Sequence, residues 1–231
     1  MDTIETSVHD NKKVVIANHN LHSIYYSTRR PKMKQFFDEA DYIHVDGMPI
    51  ILLGKAIGAN LSGANRLTYL DWIDDIFSLA SKNQWRVFYL GSKQEVTDMV
   101  VDKMQRDYPN VAMSGTSGYF DVNGPGNQEV IDKIKEVKPH VLFVGMGMPR
   151  QEVWIRNNYP ELSTNVFLPC GACFEYLVGI SYTPPRWAGK MGLEWLVRFL
   201  SDPKRLFFRY FVEPFALIPF FLRVLRSKKK K

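Results

Sequence analysis

The sequence predicts an α/β fold: a Rossmann-like, largely parallel sheet with helices on both faces, followed by a C-terminal helical appendage. Compact β-branched runs alternate along the chain with stretches whose apolar residues recur at helical spacing. Each parallel strand pair needs a long crossover, usually a helix, so this alternation is typical of a parallel sheet. The composition becomes aromatic, aliphatic and basic after residue 182. We therefore expect an α/β domain at residues 1–182 and an appendage at residues 183–231.

Six strands are predicted from short apolar runs that end at polar, glycine or proline residues. In chain order they are Lys13–Ala17, Tyr42–Val45, Arg86–Leu90, Asn110–Met113, Val141–Val144 and Asn165–Leu168. The second strand is expected to be buried, because its residues Ile43 and Val45 are apolar.

Helices are predicted between these strands. A helical pattern begins at Leu21 and reaches Phe37, and Pro31 interrupts it because proline lacks the N–H that an internal helical residue donates. Further helices are expected at residues 50–57, 70–80, 95–108, 128–137 and 171–177. Gly54–Gly63 is predicted to be a glycine-rich loop, and no element is predicted in the polar start at Met1–Asp10.

The formal charge of +6 is unevenly distributed along the chain. Arg186–Lys231 holds 12 Lys and Arg residues against 3 Asp and Glu, whereas the preceding residues hold 18 against 21. Such a basic end favours an anionic partner. Because Phe, Leu and Pro are interspersed with the basic residues, the pattern favours the interface of an anionic membrane over nucleic acid. The alternative is a helical pair packed on the domain with a solvated lysine tail.

The start of the chain and its longest apolar runs predict where the protein works. Met1–Asp10 lacks the apolar core of a signal peptide, and no uncharged run approaches the roughly 20 residues that span a bilayer. We therefore expect a cytoplasmic protein that is peripheral at the inner face of the cell membrane.

Asp46 and the polar residues of the first turn are the first candidate site. Asp46-Gly47 directly follows the second predicted strand, and Asn18 and Asn20 follow the first. In open α/β sheets ligands bind at the carboxyl ends of the strands, so Asp46 is placed to meet a substrate. The alternative is that Asp46 caps the next helix, since Asp is a preferred capping residue.

Two further patterns allow more than one interpretation. Gly145-Met146-Gly147 follows a strand, but the third glycine of a dinucleotide-binding motif would fall at Arg150, which argues against a nucleotide-dependent oxidoreductase. The turn is expected to approach a phosphate or a sugar instead. Cys170 and Cys173 form the only C-x-x-C, and we interpret them as packing residues because a structural zinc would need four ligands.

The chain resembles the WecG/TagA/CpsF family of bacterial glycosyltransferases over residues 13–212. The motifs that carry the resemblance are Asn18-x-Asn20, Val45-Asp46-Gly47-x-Pro49, Asn65-Arg66-x-Thr68, Gly145-x-Gly147-x-Pro149-x-Gln151-Glu152, Gly171-Ala172-x-Phe174-Glu175, Leu193-Glu194-Trp195-x-x-Arg198 and Pro203-x-Arg205-x-x-x-Arg209-Tyr210. The chain departs from the family at Asn18, where Thr is usual, and at Thr183-Pro184-Pro185, where Arg-Ala-Pro is common.

The resemblance implies an inverting, metal-independent transfer of a sugar from a UDP-sugar to a polyprenyl-diphosphate-linked sugar, without a cofactor. Asp46 would be the general base, and the appendage would close over the active site at the membrane. The implied substrate-binding residues are Asn18, Asn20, Gly47, Arg66, Thr68, Gly145, Gly147, Pro149, Gln151, Glu152, Arg198, Arg205 and Arg209. A non-catalytic membrane-surface scaffold is the main alternative function, and a homo-oligomer is left open.

Overall fold

The computed structural model describes residues 1–183, 188 and 193–228, with the backbone alone at residues 194, 205, 227 and 228. Of the residues singled out in the sequence, Pro184, Pro185, Arg186 and the side chain of Arg205 therefore lie outside the described part. The chain divides into two compact units. Unit 1 is Met1–Ala17, Gln35–Ile43 and Tyr69–Ser181, and unit 2 is Asn18–Lys34, His44–Thr68 and Tyr182–Lys231.

The described residues form one six-stranded sheet in the order β2-β1-β6-β5-β3-β4. Its strands are β1 (Val14–His19), β2 (Tyr42–Val45), β3 (Arg86–Gly91), β4 (Ala112–Thr116), β5 (Val141–Gly145) and β6 (Val166–Pro169). Strand pairs β1–β6, β6–β5, β5–β3 and β3–β4 are parallel. The predicted parallel α/β fold is confirmed.

Unit 1 builds its core on the central strands. Its helices are α1 (Asp2–His9), α3 (Pro31–Glu39), which begins in unit 2, α5 (Tyr69–Lys82), α6 (Gln94–Asp107), α7 (Pro125–Val137), α8 (Arg150–Asn158) and α9 (Cys173–Leu177). Residues 141–144 of β5 are fully buried. The Phe143 ring stacks on Phe77 at 5.9 Å and meets Phe174 edge-on at 5.1 Å, so α5 and α9 are both anchored to β5.

Unit 2 contains the remaining helices and the chain's C-terminal part. These helices are α2 (Leu21–Ser27), α4 (Met48–Ala56), α10 (Glu194–Ser201), α11 (Pro203–Phe211) and α12 (Glu213–Lys228). Helix α2 contacts the C-terminal helices through an edge-on pair of Tyr25 and Phe208, and Arg29, just after α2, donates from Nη2 to the Ala216 carbonyl. None of the helices in the described residues is long and apolar enough to cross a bilayer.

Three predictions about local structure were wrong. Residues 2–9 form helix α1, whose Ile4 is buried, although the segment looked too polar for an element. Gly54 belongs to helix α4 rather than to a loop. Strand β2 is not buried, because it lies at the edge of the sheet, where Tyr42 and Ile43 remain exposed.

Candidate active site

Asp46 lies between strand β2 and helix α4, in unit 2. Its backbone N–H donates to the His19 carbonyl at 2.7 Å, which fixes the carboxyl end of β2 beside that of β1. The N-cap of α4 is Gly47, with φ of +111°, a conformation that side-chain-bearing residues rarely adopt. Asp46 is therefore not the capping residue of α4, and the capping interpretation was wrong.

Two amides contact the Asp46 carboxylate. Asn18 Nδ2 and Asn20 Nδ2 each lie 3.4 Å from Asp46 Oδ2. The orientation of Asn20 is fixed by a capping box, in which Ser23 N–H donates to Asn20 Oδ1 at 3.0 Å and Asn20 N–H donates to Ser23 Oγ at 2.9 Å. Because Oδ1 is engaged at the helix, the NH₂ group of Asn20 is the end that points to Asp46.

Arg66 reaches the same place from the other side of β2. The chain after the 3₁₀ turn Gly63–Asn65 runs parallel to the strand end: Arg66 forms a bridge with Val45, and Leu67 N–H donates to the Val45 carbonyl at 2.8 Å. His44 Nδ1–H donates to the Leu67 carbonyl at 2.9 Å, which fixes its tautomer. Burial lowers the pKa of His44, and the nearby Asp46 carboxylate and the Leu67 carbonyl partly oppose that shift.

A cavity of about 290 Å³ opens in front of Asp46. The polar and charged side chains that line it are Asn20, His22, Asp46, Arg66, Arg198 and Arg209. Trp195 and Tyr210 supply aromatic walls, and their rings meet edge-on at 5.9 Å, which joins α10 to α11. One carboxylate and three guanidiniums thus share one pocket within unit 2.

The other predicted site residues of unit 2 differ in their relation to the cavity. Gly47 lines the cavity with Asp46, whereas Thr68 lies two residues beyond Arg66 and is not among the lining residues. Asn18 contacts Asp46 without lining the cavity. Arg205 belongs to helix α11, and its side chain is outside the described part.

The glycine turn after β5 lies in unit 1, and Gln151 organises it. Gln151 Oε1 accepts from the backbone N–H groups of Gly147 at 3.1 Å and Gly171 at 3.2 Å, and Gln151 Nε2 donates to Glu152 Oε1 at 2.8 Å. The Gln151 residue is only 1% exposed. Its amide therefore joins the turn after β5 to the turn after β6, and it points inward.

Glu152 is buried beside Gln151. Burial raises the pKa of its carboxyl to about 7, although the hydrogen bond from Gln151 acts in the opposite direction. Within the described residues, Glu152 Oε2 has no hydrogen-bond partner. Gly145 is packed so tightly that an added Cβ would lie 2.7 Å from the Gly171 carbonyl oxygen, and Pro149 is the N-cap of α8. The residues Gly145, Pro149, Gln151 and Glu152 therefore shape the turn after β5.

Sequence reasoning missed a second polar cluster in unit 1 and part of the unit 2 cavity. Ser92 Oγ contacts Tyr89 Oη and donates to Glu175 Oε1, both at 2.9 Å. Glu175 was present in a family motif but was assigned no role. His22 also escaped notice in the cavity wall, although it follows Asn20 by two residues.

Both cysteines are buried, and neither forms a disulfide within the described residues. Burial raises the pKa of the Cys170 thiol, which disfavours the reactive thiolate and agrees with a packing role. In the described part of the chain, no group of three or more His, Cys, Asp or Glu side chains is arranged to hold a metal ion.

Comparisons with known proteins agree with the predicted family. The model of the glycosyl transferase WecG/TagA/CpsF family matches residues 1–231. The chain is similar to the N-acetylglucosaminyldiphosphoundecaprenol N-acetyl-beta-D-mannosaminyltransferases of Staphylococcus aureus strains MW2 and COL. Each is 27% identical over 232 residues, which cover 96% of this chain and 87% of the relative. The chain therefore belongs to the WecG/TagA/CpsF family of glycosyl transferases.

Proposed function

We propose that this glycosyltransferase moves an N-acetylmannosamine-type sugar or a hexose from a UDP-sugar to a polyprenyl-diphosphate-linked sugar, with inversion and without a metal ion. The observation that carries the proposal is the shared cavity of Asp46, Arg66, Arg198 and Arg209. The relatives act, by their names, on N-acetylglucosaminyldiphosphoundecaprenol and transfer N-acetylmannosamine. A lipid-linked N-acetylglucosamine is therefore the acceptor we expect, in the synthesis of a cell-surface polysaccharide.

Asp46 is the general base of the proposed reaction. It removes the proton from the acceptor hydroxyl as that oxygen forms a bond to the anomeric carbon. The bond from this carbon to the diphosphate breaks on the opposite face, and UDP leaves with the electron pair. A well-placed carboxylate contributes roughly 10²- to 10⁴-fold to such a step. The amides of Asn18 and Asn20, which contact Asp46 Oδ2, support this role by orienting the carboxylate.

Arginines stabilise the departing diphosphate in this proposal. Arg66, Arg198 and Arg209 line the cavity, and guanidinium groups bind phosphate oxygens with two parallel N–H donors. Fixed cations of this kind stabilise charge that develops in the transition state. Arg205 is assigned to the same group on the strength of its motif alone, and Gly47 and Thr68 are assigned to substrate contacts on the same ground.

Gly145, Gly147, Gln151 and Glu152 are assigned to substrate contacts on the strength of their motif alone. Within unit 1, Gln151 holds the turn after β5 in shape by accepting the Gly147 N–H and donating to Glu152. Pro149 begins the helix that carries both side chains.

Residues 183–231 are proposed to be an appendage that brings the site to the anionic inner face of the membrane. Phe215 is 68% exposed on α12, and Ile218 and Leu222 are exposed on the same helix. Arg223 and Arg226 follow on that helix. An apolar face beside cationic residues favours a membrane interface, where a lipid-linked acceptor is found.

The experiment that tests the function is UDP release by the purified protein. The assay supplies a short-chain polyprenyl-diphosphate-linked N-acetylglucosamine with a panel of UDP-sugars, with and without EDTA. Acceptor-dependent release with one donor, unchanged by EDTA, supports the proposal and identifies the sugar. If the folded protein releases no UDP with any of the donors, the scaffold function is favoured. A change in nicotinamide absorbance would favour an oxidoreductase.

A further inference from the structure

A buried pair of His22 and Glu213 joins the cavity wall to the C-terminal helices of unit 2. His22 is the second residue of α2, and Glu213 is the first residue of α12. His22 Nδ1 lies 2.7 Å from Glu213 Oε2 and 2.8 Å from Glu213 Oε1. The Glu213 side chain is only 1% exposed, and the His22 side chain 18%. Neither residue takes part in the proposed catalytic step.

The pair fixes the orientation of the imidazole. An ionised carboxylate can only accept hydrogen bonds, so Nδ1 of His22 carries the proton and donates it. The Tyr26 ring meets the imidazole edge-on at 4.8 Å, which braces it further. Nε2, on the opposite side of the ring from Glu213, is then the polar atom of His22 available to a ligand in the cavity that His22 lines.

The burial of Glu213 determines which kind of ligand suits that atom. A buried carboxylate is costly unless a charge compensates it. In the described residues, His22 is the only hydrogen-bond or ion-pair partner of the Glu213 carboxylate. The compensation that the structure offers is the hydrogen bond from His22, and the protonated form of its ring would bring a charge-assisted Nε2–H donor to a cavity that Arg66 and Arg209 also line. Such a donor favours an anion.

We propose that His22 is a diphosphate-binding residue of this cavity and that Glu213 is the residue that positions it. The inference rests on the proposed function, because both substrates of that reaction carry a diphosphate. His22 would recognise the diphosphate group itself, whether it belongs to the UDP-sugar or to the lipid-linked acceptor. Separate binding measurements distinguish these two sources.

The test compares the diphosphate affinity of wild type with that of His22→Gln, Glu213→Gln and the double variant. The ligands are inorganic diphosphate, UDP, uridine and a short-chain polyprenyl diphosphate, measured by calorimetry. We expect His22→Gln to weaken inorganic diphosphate about tenfold or more, because a hydrogen bond to a charged group is lost. Glu213→Gln should weaken it similarly, and the double variant should be no worse than His22→Gln, because Glu213 acts through His22.

The two substrate measurements identify the source of the diphosphate. If His22→Gln lowers the affinity for UDP and leaves that for uridine unchanged, His22 binds the diphosphate of the donor. If it lowers the affinity for polyprenyl diphosphate, His22 binds the diphosphate of the acceptor. Arg29→Gln is the matched control, because Arg29, which lies just after α2, bonds the Ala216 carbonyl of α12 without lining the cavity. It should leave diphosphate affinity unchanged, and melting temperatures of all variants report on folding.

Unchanged diphosphate affinity in a folded His22→Gln protein would overturn the inference, and so would a wild type that does not bind inorganic diphosphate. The same holds if Arg29→Gln weakens binding as much as His22→Gln, since helix docking would then explain the loss. Failure of the proposed function is separate, because sugar transfer is measured on wild type. If wild type transfers no sugar but His22→Gln lowers diphosphate affinity tenfold, the transferase assignment is rejected and the diphosphate site is retained.

Discussion

The Asp46 carboxylate combines two properties that a general base needs. Its position is set by the backbone bond to His19 and by the turn at Gly47. Its amide contacts with Asn18 and Asn20 are long, at 3.4 Å, and both are made by the same oxygen, Oδ2. A carboxylate oriented in this way can still accept a proton from a substrate hydroxyl.

Asp46→Asn should separate catalysis from binding. The amide has the same shape but cannot take the acceptor proton, so we expect turnover to fall roughly 10²- to 10⁴-fold while UDP affinity stays within a few-fold of wild type. Acceptor-dependent UDP release and calorimetric titration with UDP measure the two effects. Asp132→Asn, an exposed carboxylate on α7 of unit 1, is the matched control. Retained turnover in Asp46→Asn would move the base elsewhere, and His44 would be the next candidate.

Glu152 gives a pH-dependent prediction at the same scale. Its carboxyl has a pKa of about 7 in the folded chain because of burial, against an ordinary value of 4.5. The unfolded chain therefore loses this proton at lower pH than the folded chain, and the stability contributed by the protonated carboxyl is lost between pH 4.5 and about 7. Glu152→Gln cannot ionise and does not lose this stability. As the pH rises through that interval, its free energy of unfolding should therefore increase relative to that of wild type, by on the order of 3 kcal/mol.

Urea unfolding at pH 5 and pH 8 measures this difference between Glu152→Gln and wild type. The expected gain is small at pH 5 and approaches its full value at pH 8. A stability difference that is the same at both pH values would show that Glu152 is not a buried acid with a raised pKa.

At the scale of elements, the N-terminus of α2 depends on a neutral histidine. Ser23 Oγ donates to the Asn20 carbonyl at 2.8 Å, so its contact with His19 Nδ1, also at 2.8 Å, is one in which the ring nitrogen donates. Burial lowers the pKa of His19 to about 4, from an ordinary value of 6.5. The unfolded chain therefore takes up this proton first as the pH falls. His19 should lower stability between pH 6.5 and about 4, by on the order of 3 kcal/mol.

His19→Asn tests that element. Asparagine keeps an amide donor near the position of Nδ1 but cannot be protonated, so the loss of unfolding free energy between pH 6.5 and 4 should be smaller than in wild type. Other groups titrate in the same pH range: Glu152 acts in the opposite direction, whereas His44 and His140, whose pKa values burial also lowers, act in the same direction as His19. The measurement is therefore the difference between variant and wild type, and equal slopes in the two proteins would contradict the prediction.

The elements also show which parts of the site could be predicted from the sequence. Asn18, Asn20 and Asp46 were predictable, because polar residues directly after apolar strands in a parallel sheet must gather at strand ends. The inward direction of Gln151 was predictable too, since Gln151 lies four residues before the apolar Ile155 and therefore shares its helical face. The exposure of β2 was not predictable, because strand order is set by tertiary pairing and is absent from any local pattern.

The pair of His22 and Glu213 marks the limit of local reasoning. The two residues are 191 positions apart, so no spacing rule connects them. One feature could have drawn attention to Glu213: it is one of only three acids in the strongly basic Arg186–Lys231. An acid in a segment that is otherwise apolar and cationic often has a specific partner, because burial without one is costly.

At the scale of the whole molecule, the C-terminal helices are part of a compact unit. Unit 2 combines Tyr182–Lys231 with Asn18–Lys34 and His44–Thr68, and the cavity draws its lining from all three segments. The arginines of α10 and α11 and the carboxylate after β2 therefore belong to one folded body. Membrane attachment through α12 would place that body, with its cavity, where the lipid-linked acceptor is found.

Phe215→Ser/Leu222→Ser should separate membrane attachment from chemistry. Both side chains are exposed on α12, and transfer of such side chains into lipid is worth on the order of 1 to 2 kcal/mol each, so we expect binding to anionic vesicles to fall tenfold or more. UDP affinity should not change, because neither residue lines the cavity. The efficiency with a vesicle-borne acceptor should fall together with vesicle binding, while efficiency with a water-soluble acceptor should be retained.

The matched control for this variant is Tyr119→Ser/Met99→Ser, which removes two exposed apolar side chains from unit 1. Co-sedimentation with vesicles of anionic and of neutral lipid, at low and high salt, separates the contribution of the apolar face from that of the basic residues, since salt screens only the latter. If the α12 variant binds anionic vesicles as well as wild type, or if the unit 1 control loses as much binding, then α12 is not the membrane surface.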